Sequence, residues 1–206
     1  MLKSLMQKLI FYVRENMVYC AVCATSLVCG VAIGIVCAFS VTELGAKELA
    51  LYFEDFFGSF AEAGADSSVV FVNALRLQAL FFVSMLLCSG LIFGSPFIVA
   101  AGIGSGFSFG FTAAFLLKCY GIRALLFLGG GVLPHALIML PCRLAVLCVC
   151  MRFSVSLLKE RGALKKRLLS HILLLCVLFA VAFAAVLLQA YIEPLLVGFI
   201  AEYFIG

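Results

Sequence analysis

Between Arg76 and Lys118 the chain runs for 41 residues without one charged side chain. A bilayer core is spanned by roughly 20 apolar residues in a helix, so this run supplies about two crossings. Lipid offers no partner to a free N–H or C=O, and a segment that meets it must satisfy its backbone internally, as a helix does. Shorter charge-free stretches recur toward both ends. The expected fold is all-α, a polytopic membrane protein of about five transmembrane helices with amphipathic helices at the interface. Composition agrees, with 66% apolar and 12% charged residues in 206 positions. That balance leaves no stretch for a separate soluble domain, so residues 1–206 are expected to form a single membrane domain.

Residues 1–16 place Leu2, Leu5, Met6, Leu9 and Val13 opposite Lys3, Gln7 and Arg14. That pattern suits a basic amphipathic helix on the cytoplasmic face. The first span follows at 17–39, 23 residues long and so longer than the core of a cleavable signal; an uncleaved anchor is expected. The segment 41–68 is acidic, with Glu43, Glu48, Glu54, Asp55, Glu62 and Asp66 against Lys47. Its Leu49, Phe53, Phe56 and Phe60 recur every three or four residues, so a helix resting on the outer surface is expected. Further spans are expected at 77–93, 97–117, 125–150 and 173–191, with a tight turn at Gly94-Ser95-Pro96. A basic loop at 151–170 and an interfacial tail at 192–206 complete the chain.

Lysine and arginine near span ends set orientation. Three sit before the first span and six in 151–170, against Lys47, Lys118 and Arg123 on the other side. The N-terminus is therefore expected inside, with the acidic segment and the C-terminus outside. Nine of ten cysteines fall within expected spans, where cysteine serves as a small apolar residue. Cys20-x-x-Cys23 lacks a second pair at ligand spacing. No cofactor, metal or nucleic-acid motif is present.

What interrupts the apolar spans carries the functional signal. Gly102, Gly106 and Gly110 share one face of the third span, a stripe that admits another helix closely. Gly106-Phe107-Ser108-Phe109-Gly110 also matches G-x-S-x-G by letter, with His135 as a nominal base, but that motif needs a strand-to-helix turn. Helix packing is the preferred reading, ahead of a pathway lining and of catalysis. The fourth span is broken by Gly129-Gly130-Gly131, Pro134 and Pro141. It also carries His135, expected near mid-bilayer, and Arg143, expected about two turns from the cytoplasmic end. His135 is read as neutral and bonded to a carbonyl freed by proline, with a cavity or partner contact as the competing role. Arg143 is read as snorkelling to headgroups. No carboxylate lies within a span, which argues against an ion-coupled transporter.

The order of these features resembles the stage II sporulation protein M family over about residues 73–158. The likeness rests on Gly94-x-Pro96, Gly106-x-x-x-Gly110-Phe111, Gly121, and Leu133-Pro134-His135 with Pro141 seven residues after the first proline. Many members carry a glutamate four residues after the histidine, where this chain has Met139. The resemblance implies a membrane scaffold that recruits the peptidoglycan-degrading sporulation proteins D and P during engulfment. A non-enzymatic scaffold is the leading expectation, with the lipid bilayer and those proteins as partners and a second copy of the chain as a further candidate. Phe53, Glu54, Asp55, Phe56 and Phe60 form the candidate partner surface. The alternative is a small permease with a pathway beside the third and fourth spans.

Overall fold

Small residues on two of the charge-free segments set the closest contact in the bundle. The computed structural model describes residues 17–49, 51, 67–91, 93–129, 133–159 and 164–192. Helix α1 (Met17–Ser40) buries Cys23, Ser26, Gly30, Gly34 and Ala38. The helix at Gly94–Tyr120 buries Ile98, Gly102, Gly106, Gly110 and Ala114 among others. At Gly30 the space of a Cβ is taken by the Ile103 carbonyl, at Gly106 by that of Leu27, and at Gly110 by that of Val31. Ser26 occupies the same space at Gly102. Both series rise together, so the two helices run parallel, backbone against backbone. At this approach the attraction comes from dispersion and Cα–H···O contacts, which lipid does not replace.

Parallel neighbours require a return crossing, and α2 (Ser67–Gly90) provides it. It begins earlier than the expected 77 and includes Arg76, which is exposed. The chain bends into α3 (Gly94–Tyr120) after Gly90, with Leu91 N–H bonded to Cys88 O at 3.2 Å and Gly94 N–H to Leu91 O at 3.0 Å. A Cβ at Gly94 would run into the Cys88 carbonyl, so the hairpin closes only on glycine. Gly94-Ser95-Pro96, expected as the turn, is the first turn of α3. Proline fits there because its missing N–H would have no helical partner.

Helix α3 ends at Gly121, whose φ of 60° favours glycine and whose N–H bonds Leu117 O. A 3₁₀ turn (Gly121–Arg123), the one-turn helix α4 (Ala124–Phe127), α5 (Leu133–Lys159) and α6 (Leu164–Leu187) follow. Across the expected span at 125–150 the described residues are helical on both sides of 130–132, with 124–127 in the α form, 128–129 in the wider π form, and α5 from Leu133. Glycine costs about 1 kcal/mol relative to alanine in a helix interior, and Gly129 lies in a π-helical turn directly after α4. Pro134 sits in the first turn of α5, and Pro141 alone lies inside it. The basic segment at 151–170 is largely helical, with Arg152 and Lys159 on α5 and Lys165, Lys166 and Arg167 on α6. Residues 43–49 are helical. The amphipathic segment 1–16, most of the acidic segment (50 and 52–66) and the tail 193–206 lie outside the described residues.

Five of these helices are long and apolar enough to cross a membrane, and α5 is the central one. Over its best 18-residue window 56% is buried, against 17–33% in the others. It packs against α1, α2, α3 and α6 through Met139, Cys142, Val146, Leu147 and Cys150, all in the main core. The antiparallel pair α2 and α6 is joined by edge-on aromatic contacts, Phe71 with Phe183 at 5.8 Å and Phe82 with Phe179 at 5.2 Å. The outward faces of α1, α2 and α6 carry exposed leucine, valine, isoleucine and phenylalanine, as a lipid-facing surface does.

Candidate functional site

Both notable side chains of the fourth span, His135 and Arg143, lie on α5. His135 is half-buried, two residues after Leu133 on α5. Arg143 lies about 13 Å along the helix from Pro134, near the middle of the crossing at Pro134–Leu157. Neighbouring helices give the same level. The Arg143 guanidinium carbon stands 5.1 Å from the ring centroid of Phe81 on α2. The thiol of Cys142 donates to Leu178 O on α6 at 3.3 Å. Phe81 and Leu178 lie near the middle of their own crossings. Arg143 also falls on the inward stripe of α5, in line with buried Ala136, Met139, Val146, Leu147 and Cys150. Snorkelling therefore does not describe it. Its Nε is buried without a hydrogen-bond partner, and so is Nε2 of Gln78, which is 2% exposed on the inward stripe of α2.

A second polar group joins the bend between α2 and α3 to the start of α6. His171, 5% exposed, shares a hydrogen bond of 2.9 Å between Nε2 and the Ser89 hydroxyl. Its ring stacks on Phe153 of α5 with centroids 4.2 Å apart and planes 9° from parallel. Ser154, one residue on, donates to Leu91 O at 3.2 Å and so satisfies a carbonyl of the bend. Three helices and the bend are fixed at one end of the bundle by side chains that bond each other and the backbone.

At the opposite end Lys118 supplies the cap of α1. Its ammonium group donates to Ala38 O at 3.3 Å, Phe39 O at 3.1 Å and Val41 O at 2.8 Å. The last carbonyls of a helix lack intrahelical partners and carry partial negative charge, which a cation satisfies. The position of Lys118, against the charge trend, is thereby explained.

The remaining expected residues fall apart as a catalytic set. Ser108 is exposed and donates to Gly104 O of its own helix at 3.1 Å. It forms no pair with His135, which belongs to a different level of the bundle. Pro141 is exposed on α5. All ten cysteines are free thiols, with Cys20 and Cys23 of α1 facing Cys148 of α5. Phe53, Glu54, Asp55, Phe56 and Phe60 lie outside the described residues.

The family model described as stage II sporulation protein M matches residues 23–194. That match runs from the first turns of α1 past the end of α6 and takes in every crossing. The chain belongs to the stage II sporulation protein M family. It is thus a multi-pass membrane protein of a sporulation-related family. No curated protein and no solved structure matches the chain. Within the family stretch lie the parallel pair α1–α3, the capping lysine, the His171 cluster and Arg143. Sequence reasoning missed Lys118 and His171 as organisers, because their partners lie 77–82 residues away.

Proposed function

We propose that this chain is a non-enzymatic membrane scaffold of a cell-wall remodelling complex, holding the sporulation proteins D and P at the membrane through its acidic segment. The observation that carries this reading is the family match across residues 23–194. The polar contacts described above support it, since each ties helix to helix or caps a backbone, the Ser89–His171 pair included, which is buried where three helices meet. In the proposed orientation, the end of the bundle bearing Arg152 and Arg167 faces the cytoplasm. The acidic segment after α1 then faces the wall. Its Phe53, Phe56 and Phe60 beside Glu54 and Asp55 combine aromatic anchors with charge, a composition enriched at binding hot spots.

The test is cross-linking and affinity capture from cells expressing the full chain with Glu54→Lys and Asp55→Lys together. The apolar positions stay intact, so a helix seated only in lipid tolerates the reversal. The scaffold reading expects the wall-degrading partners to be lost while the chain accumulates normally. Undiminished capture by the double reversal removes the acidic segment as the docking surface.

A further inference from the structure

Arg76 is exposed on the face of α2 turned away from the bundle, and among the described residues it has no hydrogen-bond or ion-pair partner. Its depth makes that position unfavourable. The 24 residues of α2 extend about 36 Å, so a hydrocarbon core of about 30 Å covers all but the helix ends. Arg76, nine residues after Ser67, then lies about 10 Å inside that core. Asn73, one turn earlier, is exposed on the same side. Two hydrophilic side chains thus face a region without water, whereas charged groups at such depth turn toward protein or a polar cavity. Arg143 and Lys118 show the usual arrangement, one set against Phe81 and the other on carbonyls of α1.

The same face has the spacing of a seam between helices. Val69, Asn73, Arg76, Leu80, Val83 and Leu87 are all exposed. They follow one another at alternating steps of four and three, the heptad spacing by which one helix sets its side chains between those of another. Lipid contact alone asks for apolar side chains along that line, and not for asparagine and arginine. Charge then defines the chemistry of the occupant. The five crossings contain no Asp or Glu, so neither a neighbouring helix nor a second copy of the chain supplies a carboxylate opposite Arg76 from within a crossing. We propose that this face of α2 receives a transmembrane helix of another protein, one that carries an Asp or Glu level with Arg76. In that pairing the guanidinium donates to the carboxylate, and Asn73 adds a hydrogen bond between the helices. The inference goes beyond the acidic docking segment and does not rest on it, because contact within the bilayer is read at Leu80 and not through Glu54 and Asp55.

The test places a photo-crosslinking amino acid at Leu80 of the full chain, in the cells that produce it, with a control probe at Val177 on the exposed face of α6. The expected product at Leu80 is one other protein, linked through a transmembrane helix with Asp or Glu about 10 Å inside the hydrocarbon, while Val177 gives lipid adducts. Mass spectrometry of the linked peptides identifies that helix. Yields are taken relative to accumulated chain. Arg76→Glu should lower the Leu80 yield about tenfold, Arg76→Gln should lower it too, and Arg76→Lys, which keeps the charge, should lower it least. Reversing the partner's carboxylate to arginine should restore the product in the Arg76→Glu background, which a merely misfolded variant would not allow. Lipid adducts alone at Leu80 would leave Arg76 to the headgroups and overturn the proposal. So would a product with a second copy of the chain, a partner helix without Asp or Glu, a yield unchanged by Arg76→Glu, or failure of the reciprocal reversal to restore it.

Discussion

Two glycines two residues apart on α3 make opposite demands. A Cβ at Gly106 meets the Leu27 carbonyl and the backbone around Val31, and backbone cannot step aside as a flexible side chain can. At Gly104 a Cβ meets nothing within 4 Å. Gly106→Ala should therefore destabilise the bundle by about 1–3 kcal/mol, the usual scale of overpacking. Gly104→Ala should be neutral or stabilising by up to about 1 kcal/mol, because alanine is the better helix former. Unfolding of the purified variants in mixed micelles separates the two. Ser108→Ala, which removes only a bond within α3, should leave stability and function unchanged; loss of function with normal accumulation would restore the hydrolase reading. Lys118→Met offers a further check, since it uncaps α1 without touching the glycine contact. Amide exchange should then rise in the last turn of α1 and stay unchanged around Gly30. The glycine stripe was legible in the sequence because a four-residue period is local. Lys118 was not, because a cap donated from 77–80 residues away leaves no local pattern.

The elements themselves were legible wherever charge-free length decided them, and less so where glycine and proline did. The all-α fold and five crossings follow from apolar runs that only a helix can carry through lipid. The π-helical turn at Leu128–Gly129 did not, because Gly129-Gly130-Gly131 and Pro134 can be read as a break within a helix or as its beginning. At the other end of α5, the contact with α6 rests on Phe153 and His171, and through Ser89 on α2. His171→Phe keeps the stack on Phe153 and leaves the Ser89 hydroxyl without its side-chain partner, while Ser89→Ala removes the other half of the bond. Ser89→Ala should destabilise by about 1–3 kcal/mol, the range for a buried polar group left unpaired, and His171→Phe by about 1 kcal/mol, because the Ser89 hydroxyl keeps its bond to Leu86 O at 2.8 Å. The double variant should lose less than the sum, since both remove one interaction. Additive losses in a double-mutant cycle would mean that the 2.9 Å bond couples the helices little. A lone histidine next to a basic segment gave the sequence no reason to place it in the core.

At the scale of the whole molecule, the bundle has two chemically different ends, and that difference bears on the orientation proposed for it. One end gathers the start of α1, the α2–α3 bend, the end of α5 and the start of α6, where Arg152, Lys159, Lys165, Lys166 and Arg167 lie. The other gathers the end of α1, the start of α2, the end of α3 and the start of α5. Its basic residues are few, and Lys118 is engaged with backbone carbonyls of α1. Counting that lysine as a topological signal therefore overstates the positive charge presented by that end to its solvent. The positive-inside rule then favours the first end as cytoplasmic more strongly than bare counting does. Labelling with a membrane-impermeant thiol reagent checks this in intact cells, in a background where Cys37 and Cys119, near the α3–α4 end, are replaced by alanine. Ser67→Cys, at the start of α2, should react from outside, and Ala163→Cys, in the connection between α5 and α6, should react only after permeabilisation. Labelling of Ala163→Cys in intact cells would invert the molecule. The acidic segment would then face the cytoplasm, where no peptidoglycan-degrading partner could reach it, and the scaffold reading would lose its docking surface along with its orientation.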